Sequence, residues 1–320
     1  MASEPRQGRT QRMRPTIFME RPVIGAVRCG TGWSMARVVV TGGAGKLGRA
    51  CVRDLVDHGW DVVVFDRARP DAPTDGVTYI PVDLTDYGQV IDAMLGVEER
   101  YRRVDALVHL AAVPAPGLVP DHQTFANNMM SSWNVTSAAR RAGVRNIVWA
   151  SSETVLGLPF DVPPPYVPVD EEYPPRPNST YSLVKTLEER MAVELCRWDP
   201  ELKMIGLRFS NVMEPADYQR FSAFDDDAQA RRWNLWGYID ARDGAQAIRL
   251  ALDSDLTGSE VFIVANADTV MTRSNASLLA EVFPDVEVRG ELGEHETLLS
   301  IDKARRLLGF DPQHSWRSEV

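Results

Sequence analysis

This 320-residue chain is short of cysteine and of lysine. Its three cysteines, Cys29, Cys51 and Cys196, are odd in number and widely spaced, so neither a disulfide framework nor a metal site is expected, and a reducing, cytoplasmic setting fits. Positive charge is also lacking, the formal net charge being -10. A general nucleic-acid binder carries a basic footprint, so no nucleic-acid partner is expected. No apolar run approaches the ~18 residues of a membrane span, and none forms the core of a secretory signal. Internal repeats and low-complexity tracts are absent. What is left is an ordinary globular balance, 44% hydrophobic and 25% charged. It can bury a sizeable core as one large α/β domain with an appendage, or as two modest domains.

Residues 1–34 read differently from the rest. They hold six Arg against two acidic residues, several Gly and Pro, and no apolar period, which predicts a disordered extension. Met35 stands directly before the first regular segment and is either the true start or the edge of the folded part.

From there the pattern alternates. "ARVVVTG", "DVVVFD", "VTYIPVDL", "VDALVHLAA", "NIVWASS" and "KMIGLRFS" are β-rich runs bounded by turn residues. Between them, "KLGRACVRDLVDHG", "NNMMSSWNVTSAARRAGV" and "STYSLVKTLEERMAVELCRW" read as helices, the last with Val184, Leu187, Met191 and Leu195 on one face. Strands alternating with helices predict an α/β fold, a Rossmann-type doubly wound parallel sheet. The stretch "LPFDVPPPYVPVDEEYPPRP" holds too much proline for regular structure and predicts a stiffened loop over the pocket.

Two features carry chemistry. "TGGAGKLG" places Gly42, Gly45, Lys46, Leu47 and Gly48 between a strand and a helix, where backbone N–H groups can cradle a pyrophosphate. Asp66 ends the next strand 24 residues after Gly42, where a carboxylate accepts ribose hydroxyls and repels a 2′-phosphate, so NAD is expected. Arg67 and Arg69 follow at once and keep NADP open. In "NSTYSLVK", Tyr181 lies four residues before Lys185, hence one helical turn away on the same face. A phenol is a poor base at its usual pKa of about 10, and a neighbouring ammonium favours the phenolate.

The Gly-x-x-Gly-x-x-Gly spacing, "HLAA" (His109 to Ala112), Tyr-x-x-x-Lys and "RRLLGFDP" together resemble the extended short-chain dehydrogenase/reductase family, also called the NAD-dependent epimerase/dehydratase family. The likeness runs from about Arg37 to the end. It implies an NAD-binding domain over 35–210 and a small substrate lobe over 211–320, interleaved with late sheet elements. It assigns Tyr181 as acid/base and Lys185 as the residue that holds the nicotinamide ribose. Aligning "SSETVLG" on Val155 and Gly157 assigns Ser152 as the hydroxyl that orients the substrate oxygen, with Ser151 its neighbour. The resemblance adds Asp83 and Leu84 near the adenine, and Leu110, Ala111, Ala112, Asn128 and Ser210 near the cofactor. It also implies a homodimer through the "NNMMSSW" helix and the helix that carries Tyr181.

Two departures narrow the reaction. Sugar dehydratases of the family place two acids after the catalytic hydroxyl, where this chain has Glu153 and Thr154, so dehydration is disfavoured. Only about thirty residues separate Asn211 from Asp243, which suits a small substrate and resembles the uronate dehydrogenase branch. Glu153, Asn211 and Arg220 are then expected at the substrate, Arg220 meeting a carboxylate, with Arg231 and Arg232 as fallbacks. Trp233 and Trp236 are candidates to wall the pocket. The expectation is an NAD-dependent dehydrogenase acting on a small sugar, sugar acid or polyol. A sugar epimerase is the alternative, and a non-catalytic NAD-binding regulator is disfavoured because Tyr181 and Lys185 are both present.

Overall fold

The computed structural model describes residues 26–29, 32–96 and 103–319. The extension expected over 1–34 falls mainly outside them. Within it, β1 (Ala26–Cys29) and β2 (Gly32–Met35) pair antiparallel.

The strands that follow are β3 (Arg37–Thr41), β4 (Asp61–Asp66), β5 (Thr78–Pro81), β6 (Ala106–His109), β7 (Asn146–Ser152) and β8 (Tyr166–Val167). After them come β9 (Lys203–Phe209), β10 (Val212–Met213), β11 (Ile239–Asp240), β12 (Gly258–Val264) and β13 (Glu287–Val288). The helices are α1 (Lys46–Asp57), α2 (Tyr87–Leu95), α3 (Asp121–Arg141), α4 (Thr180–Trp198), α5 (Ala241–Asp253), α6 (Asn275–Val282) and α7 (Asp302–Leu308). Seven strands form one parallel sheet in the order β12-β9-β7-β6-β3-β4-β5. The chain reverses direction across the sheet between β3 and β6. A crevice therefore opens beyond their carboxyl ends, as the doubly wound topology requires.

The β-branched runs explain the sheet. Val38 and Val40 face one core while Val39 faces the other, and all three are fully buried. A strand covered on both faces reads as a continuous apolar run. Burying one such side chain contributes roughly 1.5–3 kcal/mol before entropy is counted. On one face α1 packs against α5, and on the other α3 packs against α2 and α4.

Three local expectations are corrected. α3 begins at Asp121, six residues before "NNMMSSW", because Pro120 leads into the helix and Asp121 supplies an acidic first turn. The buried face of α4 runs through Tyr181, Val184, Lys185, Glu188, Ala192 and Leu195, so Leu187 is exposed and a carboxylate is buried instead. The proline-rich loop is not wholly irregular, since Tyr166–Val167 pairs in parallel with Glu287–Val288. Beyond β9 come two 3₁₀ segments, Pro215–Phe224 and Ala228–Asn234.

Candidate active site

One continuous cleft of about 1040 Å³ runs along the carboxyl ends of β3, β4, β6, β7 and β9. Its dinucleotide half is built by close backbone approach. Gly42 has φ +73, and a Cβ there would lie 2.7 Å from the Ala111 nitrogen. A Cβ on Gly48 would lie 2.1 Å from the Gly42 carbonyl oxygen. Only glycine permits this packing of loop on helix, which leaves the start of α1 open to a phosphate. Asp66 accepts the Ala44 N–H (3.0 Å) through Oδ2 and the Ala68 N–H (3.1 Å) through Oδ1. It thus pins the glycine loop while lining the cleft with Arg67, Asp83 and Leu84. The cradle fits a dinucleotide.

The reacting half starts with a helix cap. Ser179 and Ser182 form a reciprocal capping box, which fixes the start of α4 and puts Tyr181 in its first turn. Ser152, at the end of β7, lines the cleft close enough to the phenol to lower its pKa, and the Lys185 ammonium stands 5.9 Å from the ring centroid. Burial pushes the Tyr181 phenol up, Lys185 pulls it down, and Glu188 pushes it up again. Lys185 Nζ donates to the Ala150 carbonyl (2.8 Å) and to Glu188 Oε2 (2.9 Å). Burial disfavours the ammonium, yet Glu188 and Tyr181 hold its pKa above the ordinary value.

Glu188 belongs to a buried polar chain. Ser132 Oγ donates to Glu188 Oε1 (2.5 Å), His109 Nε2 bonds Ser132 Oγ (3.1 Å), and His109 Nδ1 bonds Thr41 Oγ1 (2.7 Å). Burial, with the charge of Lys185, holds His109 down at about 3, so it is neutral at physiological pH. A second buried acid, Glu189, accepts from Ser151 Oγ (2.6 Å) and from Arg208 Nε and Nη2 (both 2.9 Å).

Glu153 follows Ser152 and lines the cleft at 3% exposure. Ser210 Oγ donates to its Oε2 (2.6 Å) and Asn234 Nδ2 to its Oε1 (3.1 Å). Burial pushes this carboxyl up to about 7, against those hydrogen bonds and the charge of Arg231.

Of the residues expected at the site, all but two line this cleft: Gly42, Gly45, Lys46, Leu47, Gly48, Asp66, Arg67, Asp83, Leu84, Leu110, Ala111, Ala112, Ser151, Ser152, Glu153, Tyr181, Lys185, Ser210 and Asn211. Asn128 is buried behind it and bonds the Val113 N–H (2.8 Å) and carbonyl (3.1 Å), so it shapes the wall without lining it. Arg220 is the correction. Its 3₁₀ segment turns Tyr218 and Phe221 into the core, which leaves Arg220 exposed and outside the cleft. Arg231 is buried, donating to Asn211 Oδ1 (3.0 Å) and the Gly237 carbonyl (2.9 Å). Arg232 pairs with Asp161 at 3.7 Å. Trp233 lines the cleft, while Trp236 is fully buried in the core.

Sequence reasoning missed Glu188 and Asn234. The signal for Glu188 was a charged residue at a core position of α4. Leu158, Pro159, Asn178 and Ser179 also line the cleft from the ends of the proline-rich loop. Among the described residues no cluster of His, Cys, Asp and Glu could hold a metal ion, and no helix is long and apolar enough to cross a membrane.

The profile of the NAD dependent epimerase/dehydratase family matches residues 38–265, more than half of the chain. The chain belongs to this family. NAD is therefore its cofactor, and its fold is the family's parallel α/β sheet. Curated relatives include a UDP-glucose 4-epimerase of Neisseria meningitidis serogroup B, 31% identical over 55% of this chain and 53% of that one. A UDP-glucose 4-epimerase of Corynebacterium glutamicum is 26% identical over 87% of this chain and 92% of its own. The match thus spans about half the length of the Neisseria enzyme. Among solved structures, a UDP-galactose 4-epimerase superposes with TM-score 0.65 at 27% identity, covering 88% of this chain and 95% of that one. A mutated uronate dehydrogenase gives 0.62 at 23%, covering 89% and 85%, a likeness of fold.

Proposed function

We propose that this family member is an NAD-dependent oxidoreductase that oxidises a hydroxyl of a small polyhydroxy substrate, a sugar, sugar acid or polyol. The observation that carries the reading is the convergence of Ser152, Tyr181 and Lys185 on one wall of the cleft, with the Lys185 ammonium 5.9 Å from the Tyr181 ring centroid. Tyr181 as phenolate takes the hydroxyl proton; burial holds the phenol above its ordinary pKa, and the Lys185 charge opposes that rise and favours the phenolate. Ser152 donates a hydrogen bond to the substrate oxygen and fixes its orientation. The bound NAD supplies the hydride acceptor.

The short lobe supports a small substrate. Asn211, Val212 and Trp233 line the cleft together with Ser152 and Glu153, and only about thirty residues of chain separate Asn211 from Asp243. The purified protein is to be incubated with NAD+ and a panel of aldoses, polyols and uronates while absorbance at the NADH band is followed. Growth of NADH that is lost in Tyr181→Phe supports the assignment, and growth that survives the substitution overturns it.

The second reading is a sugar epimerase, favoured by the UDP-glucose 4-epimerases among the relatives. Such an enzyme re-reduces its own ketone and releases no NADH. Cofactor retained through purification, with sugar interconversion and no net NADH, favours it.

We also propose that a second copy of the chain covers the outer faces of α3 and α4. Met130 and Trp133 on α3 and Leu183, Leu187 and Val193 on α4 are large apolar side chains left exposed on two helices that pack together.

A further inference from the structure

We propose that the reacting end of the cleft takes a neutral polyhydroxy compound and rejects the matching sugar acid, with Glu153 accepting a hydrogen bond from a substrate hydroxyl. This narrows, and rests on, the oxidoreductase reading above.

The first ground is position. Glu153 directly follows Ser152, lines the cleft, and acts electrostatically on Tyr181. A ligand whose hydroxyl meets Ser152 and Tyr181 therefore has its adjoining atoms against this carboxyl group. Ser210 Oγ donates to Glu153 Oε2 and Asn234 Nδ2 to Oε1, and the Asn211 backbone N–H also acts on this carboxyl group as a donor. Two carboxylate oxygens offer four lone pairs, so one acceptor position is left. A substrate hydroxyl there makes a charge-assisted hydrogen bond.

The second ground is the placement of positive charge. Among the described residues, the Lys and Arg side chains that line the cleft are Lys46, Arg67 and Lys185. Lys46 is ion-paired with Asp217 at 2.6 Å and Lys185 with Glu188 at 2.9 Å. Arg67 lies in the dinucleotide half, close enough to Asp83 to act on it. Arg231 is behind the wall, its guanidinium over the rings of Trp233 (4.9 Å) and Phe224 (5.3 Å), and its charge is directed to Glu153. A sugar-acid carboxylate entering this end would leave water for a site where Lys46 and Lys185 already hold carboxylates, with Glu153 as a like-charge neighbour. Both the desolvation and the repulsion disfavour it.

The test uses NAD+-loaded protein and sugar pairs that differ only at C6: glucose with glucuronate, galactose with galacturonate, mannose with mannuronate. Binding is read by calorimetry, independently of turnover, and NADH formation is read alongside. The expected result is that in at least one pair the neutral sugar binds about ten-fold tighter or more, the scale of a like-charge penalty. Glu153→Gln, close in shape, is expected to collapse that ratio. A second arm needs no variant. Because burial holds the Glu153 carboxyl up at about 7, the wild-type ratio is expected to shrink between pH 8 and pH 5.5, where the uronates stay ionised. Uronates binding as tightly as their partners, no neutral sugar binding, or a ratio unchanged by both Glu153→Gln and pH would each overturn the proposal. Neutral-sugar preference without NADH formation leaves the substrate class standing and overturns the dehydrogenase reading instead.

Discussion

Lys185 and Glu188 form a buried ion pair 2.9 Å long, so the ammonium beside Tyr181 carries its own counter-charge. The phenol feels both: Lys185 lowers its pKa and Glu188 raises it, on top of the larger upward effect of burial. Replacing Glu188 by Gln removes the upward charge while Lys185 keeps the Ala150 carbonyl and the nearby charge of Glu189. The rise of NADH formation with pH is then expected at lower pH than in the parent. A pH–rate profile of kcat/KM reads the shift, and a move to higher pH would show that Glu188 chiefly keeps Lys185 charged.

Gly48→Ala is expected to damage the dinucleotide half selectively. The added Cβ meets the Gly42 carbonyl oxygen at 2.1 Å and the Gly43 Cα at 2.8 Å, both backbone atoms that cannot swing aside. Overpacking of this kind costs about 1–3 kcal/mol. A lowered Tm together with weakened NAD+ binding, by calorimetry, is the expected pair of results.

Glu153 gives a stability prediction with a definite sign. Folding raises this carboxyl from its ordinary 4.5 to about 7, so the folded state favours the protonated form. Stability is then unaffected below 4.5, falls as pH rises from 4.5 toward 7, and stays reduced above that. Glu153→Gln removes the penalty. Its Tm relative to the parent is expected to improve from pH 5 to about pH 7 and then to level off toward pH 8 in thermal melts.

The exposed apolar faces of α3 and α4 predict self-association. Trp133→Asp, at a residue 41% exposed, should yield a monomer without loss of fold. Light scattering coupled to size exclusion distinguishes a dimer from a monomer, and a parent protein already monomeric would refute the proposal.

The sheet and the glycine loop were legible because their determinants are contiguous. Val38–Val40 and Val62–Phe65 are short β-branched or aromatic runs, and Gly42 to Gly48 run without a break from the loop into the first turn of α1. The Tyr181–Lys185 pair was legible for the same reason, being one helical turn long. Contacts that join distant segments were not. Ser132 and Glu188 meet across 56 residues and His109 and Ser132 across 23, and no local period announces either. Arg220 was misplaced because a 3₁₀ segment repeats every three residues, and that repeat put Tyr218 and Phe221 inside instead. Tyr166–Val167 found a strand partner at Glu287–Val288, beyond the reach of any reading of the proline-rich stretch alone.

Glu189 has a consequence for how the site fails. It binds Ser151 on β7 and Arg208 on β9, so one carboxylate indexes α4 to two neighbouring strands. Ser151 directly precedes Ser152, and Glu189 lies two turns beyond Tyr181. A slip of α4 by one residue would strand an arginine and a carboxylate in the interior, which is strongly destabilising. The spacing of the Ser152 hydroxyl and the Tyr181 phenol is therefore inherited from the tie between α4 and two strands of the central sheet. Heating should abolish turnover in the same transition that melts the sheet, with no earlier loosening of the reacting groups.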